Sequence, residues 1–244
     1  MESLLSIRDL RKSFRAPDGR DQAVIDVPSF DLAAAGQVAL RGESGSGKTT
    51  LLHLIAGILR PDSGSILLDG IDLAQCSESQ RDQLRAQHIG YIFQTFNLLQ
   101  GYSALENIEL AMRFGGTLDR SRARALLDRV GLADRMHYHP RQLSVGQQQR
   151  VAVARALANK PKLVLADEPT GNLDFRRASE SLALIREVCS ENDAALLLVS
   201  HDRAILNSFD TQHDLRNLNR AMAPLDDSYD EAGAASGSPQ EVSK

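Results

Sequence analysis

The chain has 244 residues, 42% of them hydrophobic, which is enough apolar material for one large α/β domain or two small lobes without covalent staples. Its formal net charge is −4, and residues 225–244 alone hold five acids and one lysine, so the remainder is balanced and presents no broad basic field for nucleic acid. Cys76 and Cys189 match neither CxxC nor zinc spacing, no run approaches the ~18 apolar residues of a membrane span, and MESLLSIRDLRKSF lacks the apolar centre of a signal peptide, so a soluble, disulfide-free chain is expected.

Residues 4–40 alternate short apolar runs with Gly and Pro, as strands and turns do. GQVAL (36–40) reads as a strand entering a Gly-rich loop, and KTTLLHLIAGIL (48–59) as a buried helix closed by the turn RPDSG. SILLDG (65–70) and IGYIFQ (89–94) read as further strands. The texture then changes between 97 and 159. SALENIELAMRF puts Leu105, Ile108, Ala111 and Met112 at helical spacing, and SRARALLDRVGL and VGQQQRVAVARALA repeat the pattern, so the stretch is predicted to be a helical insertion. KLVLADE (162–168) returns to a buried strand, followed by a helix over 176–191 and the strand AALLLVSH (194–201). Strands alternating with helices predict a mainly parallel sheet covered on both faces. The small, acidic, Ser/Gly-rich residues from 225 onward are expected to be disordered.

GESGSGKT fits GxxxxGK[ST] between a predicted strand and a predicted helix, a context that a chance Gly/Ser turn lacks. Gly42, Gly45 and Gly47 let the loop curl so that backbone N–H groups face phosphate, and the helix N-terminus adds a favourable dipole. Lys48 is placed to reach the β- and γ-phosphates and the Thr49 hydroxyl to ligate Mg²⁺, while Glu43, Ser44, Ser46 and Thr50 complete the expected binding stretch. In LVLADEP, Asp167 and Glu168 end a buried strand at the edge where parallel sheets bind ligands. Asp167 fits the acid that holds Mg²⁺. Side chains alternate along a strand, so Glu168 is expected to point elsewhere, towards an attacking water as general base, unless it is only a first-turn acid of the next element. His201 follows the apolar run LLLVS at the same edge and suits a γ-phosphate oxygen, although a surface histidine at a strand end would look the same. Gln94 could bring its amide oxygen to Mg²⁺ or to the water. QLSVGQQQR (142–150) has no nucleophile–base or metal pair, and Ser144 reads locally as an N-cap.

GESGSGKT, Gln94, LSVGQQQR, LVLADEP, GNLD and His201 come in the order of the ATP-binding-cassette (ABC) ATPases, and the chain resembles that family over residues 4–210. IGYIFQTFNLL and DEPTGNLD resemble its lipoprotein-release, macrolide-export and cell-division branch (LolD, MacB and FtsE). The resemblance implies an α/β P-loop (RecA-like) core over residues 1–224, with an antiparallel N-terminal β part and a helical subdomain inserted at about 95–160. It implies ATP and Mg²⁺, and a homodimer in which each ATP lies between the phosphate loop of one cassette and the signature turn of the other. Ser144, Gly146 and Gln147 would then serve the partner's nucleotide, and Asp174 would sit in the loop crossing to it. Phe14 would stack on adenine, unless it is a core residue of the first sheet. An integral membrane subunit on a separate chain would dock near Gln94, received by exposed Phe96, Leu98 and Leu99, unless these pack the helical insertion. The chain would work at the cytoplasmic face of the membrane without binding nucleic acid.

The activity implied is ATP hydrolysis driving export or extraction of a hydrophobic or lipidated substrate. The alternatives are a cell-division ATPase that signals without transport and a soluble ABC protein of DNA repair or translation. The soluble class normally carries two cassettes, long coiled-coil insertions or zinc modules, none of which is found in this sequence. Two features depart from the family. Val145 replaces the first Gly of LSGGQ, and a β-branched residue excludes the left-handed backbone that Gly permits. Intact Ser144 and Gly146 favour tolerance of that change. After His201, FDTQHDLRNLNRAM lacks an Asp-Gly turn, so a shortened or partly helical C-terminal edge is expected.

Overall fold

Two long strands, β1 (Ser3–Arg15) and β2 (Asp21–Ala33), pair antiparallel. Leu5, Ile7 and Leu10 of the first and Ile25, Val27 and Leu32 of the second are buried, as expected for a sheet with one covered face. β3 (Gln37–Arg41) follows and leads through the glycine loop into α1 (Lys48–Ile55). The helix is shorter than its sequence pattern predicts: the chain turns at Ala56 and Gly57, whose φ is 66°. β4 (Ser63–Leu68) and β5 (Ile71–Asp72) complete a four-stranded antiparallel sheet in the order β2-β1-β4-β5. The structure is a computed structural model that describes residues 3–222 except Ser44, Asn172, Asp174 and the Phe175 side chain; the tail expected from 225 lies outside the described residues.

The next elements are α2 (Glu78–His88), β6 (Ile89–Ile92), α3 (Ala104–Phe114), α4 (Arg120–Arg129) and α5 (Val145–Ala156). The last three are the predicted helical insertion. Leu105, Ile108 and Met112 of α3 are buried as their spacing requires. β7 (Leu163–Asp167), α6 (Phe175–Glu191), β8 (Ala195–Ser200), α7 (Arg203–Leu206), β9 (Thr211–Asp214) and α8 (Leu215–Leu218) close the chain. The second sheet is wholly parallel in its pairings, with order β6-β7-β8-β3-β9. The departure after His201 therefore resolves into a four-residue edge strand and a single helical turn. Among the described residues, no helix is long and apolar enough to cross a membrane.

The parallel sheet divides the core. Every residue of β7 and β8 is buried, and successive side chains enter opposite compartments. Val164, Ala166, Leu196 and Leu198 pack with the helical insertion and α6. Leu163, Leu165, Leu197 and Val199 pack with α1 and the antiparallel sheet. This two-sided burial is why the strand sequences are continuous apolar runs. It also leaves polar residues only at the strand ends, where the next loops begin.

Candidate nucleotide site

Four strand ends of the parallel sheet meet at one edge: Arg41 of β3 before the glycine loop, Ile92 of β6 before Gln94, Asp167 of β7, and Ser200 of β8 before His201. They surround a cleft of about 490 Å³. Gly45, Gly47, Lys48, Thr49 and Thr50 form one wall, and Gln94, Asp167, Glu168 and His201 form the other. Gly45 and Gly47 have φ of 80° and 85°, a conformation that residues with a Cβ adopt at a cost. The loop is anchored by the Gly42 N–H, which donates to Ser200 O at 3.3 Å, and by the Ser46 N–H to Glu43 O at 3.2 Å.

The polar side chains interlock. Lys48 Nζ donates to Gly42 O and to Glu168 Oε1, both at 2.7 Å, in an ion pair whose side chains are 11% and 7% exposed. Thr49 Oγ1 donates to Asp167 Oδ2 at 2.8 Å. His201 Nδ1 lies 2.7 Å from Glu168 Oε1, and Ser200 Oγ donates to Glu168 Oε2 at 3.2 Å. Strand alternation does not separate the two acids as expected, because β7 ends at Asp167 and Glu168 takes φ 45°. That left-handed backbone turns the second carboxylate into the same cleft as the first.

The two acids are electrostatically unlike. Burial pushes the Asp167 carboxyl above the usual carboxylate range; the Thr49 hydrogen bond opposes this, and the neighbouring Glu168 charge adds to it. Burial acts on Glu168 in the same sense, but the hydrogen bonds and charges of Lys48 and His201 together outweigh it and hold the carboxyl below its ordinary value. The Glu168 carboxylate is thereby held ionised beside the Lys48 ammonium.

Glu43 lies on the cleft wall, but its carboxylate is ion-paired with Arg216 of α8. Sequence reasoning missed Arg216, since nothing in its local pattern points to a loop 173 positions earlier. It also missed Ser200, hidden at the end of an apolar run, and Val24, whose β2 backbone fences the loop at Gly47. Phe14 is 41% exposed, with Lys12 Nζ 5.6 Å from its ring centroid, so it is not a core residue; it is not part of the cleft wall either. Ser44 and Asp174 lie outside the described residues. Of the two placements open for Phe96, Leu98 and Leu99, the first two residues take the packed one, buried at 6% and 7% in the helical compartment, and of the three only Leu99 keeps an exposed side chain.

Ser144, Gly146 and Gln147 are not brought to this cleft. They line a separate recess of about 300 Å³ with Gln149, Arg150 and Arg177. Ser144 caps α5 in a capping box: its hydroxyl accepts from the Gln147 N–H at 3.3 Å, and Gln147 Oε1 accepts from the Ser144 N–H at 2.9 Å. Val145 is the first helical residue, 46% exposed, and is not among the described residues with positive φ. The concern that a β-branched residue would strain this turn is therefore removed.

The residues fit an anion and a hard cation. Ser46 Oγ, in a residue 2% exposed, has no hydrogen-bond partner among the described residues, an unmet polar group within a loop of inward-curling backbone. Thr49, Asp167 and Gln94 offer oxygen atoms of the kind Mg²⁺ takes. The family described as "ABC transporter" matches residues 25–171. A lipoprotein-releasing system ATP-binding protein LolD from Shewanella oneidensis is 43% identical over 217 residues, covering 88% of this chain and 94% of that one. A macrolide export ATP-binding/permease protein MacB from Syntrophobacter fumaroxidans is 43% identical over 212 residues, which span 83% of this chain but 29% of the longer protein. Among solved structures, a dimeric post-hydrolysis state of the ATP-binding cassette MJ0796 bound to ADP and Pi has a TM-score of 0.78 at 30% identity, covering 86% of this chain and 93% of that one. The chain belongs to the ABC transporter family, as an ATP-binding and ATP-hydrolysing cassette.

Proposed function

We propose that two copies of this chain pair head to tail around two ATP molecules and drive a separate membrane subunit that exports or extracts a hydrophobic or lipidated substrate. The observation that carries the reading is the separation of the two recesses. The phosphate loop, both acids and His201 line one, and Ser144 and Gly146 line the other. Gly146 has no positive φ, and a Cβ built on it would meet nothing within 4 Å. Its own fold does not require glycine there, and the space beside it is open to a ligand that approaches from outside. The γ-phosphate of a nucleotide held by the partner, received on the N-terminus of α5, meets that description.

In each site the phosphate loop and Lys48 bind the triphosphate. Phosphate oxygens compete with Glu168 for the Lys48 ammonium, which frees the carboxylate to take a proton from the attacking water. His201, already hydrogen-bonded to that carboxylate through Nδ1, keeps it oriented. Thr49, Asp167 and Gln94 would hold Mg²⁺, whose chemistry is to neutralise the charge building on the phosphate oxygens. The relatives named for lipoprotein release and macrolide export supply the substrate class. A groove of about 770 Å³ between α2, β6 and α3, with Phe93, Phe114 and Arg155 in its wall, suits the membrane subunit, and Phe114 is 73% exposed there.

The experiment is Glu168→Gln with Mg-ATP, followed by light scattering and by mass spectrometry of what it retains from detergent-solubilised membranes. A stable dimer with turnover reduced at least about 100-fold is expected, together with a membrane partner. A monomer that still turns over would remove the general base, and nucleic acid or ribosomes in place of a membrane protein would remove the transporter.

A further inference from the structure

Gln149 stands out among the buried polar residues. It lies on α5, one turn beyond the signature residues, and is completely buried. Its Nε2 donates to the carbonyl of Pro169, the residue that follows Glu168. Its Oε1 has no hydrogen-bond partner among the described residues, and the residue forms part of the wall of the Ser144–Gly146 recess. A buried amide with one end unmet is costly, and what offsets the cost is the bond to Pro169 O, which Met or Leu would leave without its donor. Packing therefore does not account for a glutamine here.

The backbone that Gln149 grips is strained. Glu168 at φ 45° is a non-glycine residue in the left-handed region, and such a conformation persists only where neighbouring contacts fix it. Besides the carboxylate's bonds to Lys48, Ser200 and His201, three bonds to the backbone hold it among the described residues. The Glu168 N–H donates to Val199 O at 3.0 Å, the Gly171 N–H donates to Glu168 O at 3.1 Å, and Gln149 holds the next carbonyl. The first belongs to the sheet and the second to the loop itself. Of these three, the Gln149 bond is the one that brings in the helix that begins at the signature turn.

We propose that Gln149 is a positioning residue that couples the two half-sites. It ties the helix facing the partner's nucleotide to the backbone that presents Glu168 to this chain's own nucleotide. Seating of the partner's γ-phosphate on Ser144 and Gly146 shifts α5, and Gln149 passes that shift to the Glu168 carboxylate. Hydrolysis at one site is thus set by occupancy of the other. This inference rests on the head-to-tail reading above.

The test uses the full chain with Gln149→Met, which keeps the length and loses the donor, and Gln149→Asn, which keeps an amide but falls short of Pro169. Turnover is measured against ATP concentration, and dimer formation is measured with each change placed in the Glu168→Gln background. The expected result is kcat reduced about tenfold with KM within about twofold, because a contact that orients the base without touching substrate moves the first and not the second. The ATP-dependent dimer should form at the same nucleotide concentration as in the Glu168→Gln parent. If kcat stays within twofold while the parent forms its dimer, the coupling is overturned and the head-to-tail reading stands. If kcat, dimerisation and Tm fall together in both variants, Gln149 is a packing residue and the coupling is likewise overturned. A parent that stays monomeric overturns the head-to-tail reading and the coupling with it.

Discussion

The two recesses use glycine and serine for opposite ends. In the phosphate cleft, glycine is demanded by the chain's own backbone, since Gly45 and Gly47 have φ near 80° and a Cβ on Gly47 would lie 3.0 Å from Ile25 Cδ1 and 3.1 Å from Val24 O. In the signature recess, Gly146 sits in regular helix with open space around it. The serines invert this. Ser46 Oγ of the phosphate loop is buried and has no hydrogen-bond partner among the described residues, whereas the Ser144 hydroxyl is already engaged in its own capping box. One recess needs glycine for its own backbone, and the other does not.

Gly47→Ala and Gly146→Ala break this comparison most sharply. Alanine at position 47 combines left-handed strain of about 1–2 kcal/mol with the clash on Val24, so Tm and ATP binding by the monomer should both fall. Alanine at 146 should raise Tm slightly, since Gly is about 1 kcal/mol poorer than Ala inside a helix, and should leave ATP binding by the monomer unchanged. Turnover should nevertheless fall on the order of 100-fold, about 2.7 kcal/mol of transition-state stabilisation. Differential scanning fluorimetry, nucleotide titration and steady-state kinetics on the pair decide it. Full turnover in Gly146→Ala would mean that no ligand closes on that helix.

A smaller effect separates the two acids within the cleft. With Asp167 raised by burial and Glu168 lowered by Lys48 and His201, a falling pH protonates Asp167 first. The ionised form of Glu168 is favoured by folding, so its stabilising contribution is present above the unfolded pKa and is lost as pH falls through the lowered folded value. Asp167 acts with opposite sign: its contribution is present below the unfolded pKa and is lost as pH rises through the raised one. Mg²⁺ competes with the proton on Asp167, so the acid limb of turnover should move to lower pH as Mg²⁺ is raised from about 0.1 to about 10 mM. A limb that ignores Mg²⁺ would show that Asp167 is not the metal's carboxylate.

Much of the fold was legible because the parallel strands are buried on both faces and therefore appear as unbroken apolar runs, as in LVLAD and ALLLVS. The helical insertion was legible from its spacing. α2 was not, because none of its residues is buried and its helix is marked only by the Ser77–Gln80 capping box. Phe96 and Leu98 could be read either as exposed or as packing the helical insertion, because a short apolar stretch does not say which way a loop folds; φ of 59° and 47° at Phe96 and Asn97 turns it, and Phe96 and Leu98 pack into the core. At the site, the phosphate loop and the acids carry their own local pattern. The Arg216–Glu43 pair and the Gln149–Pro169 bond do not, since each joins residues far apart in sequence, and only the folded sheet brings them together.

The smallest expected effect is at Val145, where sequence comparison alone raises the greatest concern. The residue begins α5 with an ordinary helical backbone and a half-exposed side chain, so nothing in the turn calls for glycine. Its N–H is one of the first-turn groups left without an intrahelical partner, and Val presents it as well as Gly does. Val145→Gly exchanges two poor helix formers, a difference of a few tenths of a kcal/mol. Turnover should therefore stay within about threefold of the natural chain, less than 0.7 kcal/mol in barrier height. A gain on the order of 100-fold would mean that the Val145 side chain itself obstructs the approaching partner, and would relocate the fault from the backbone to the exposed face of the turn.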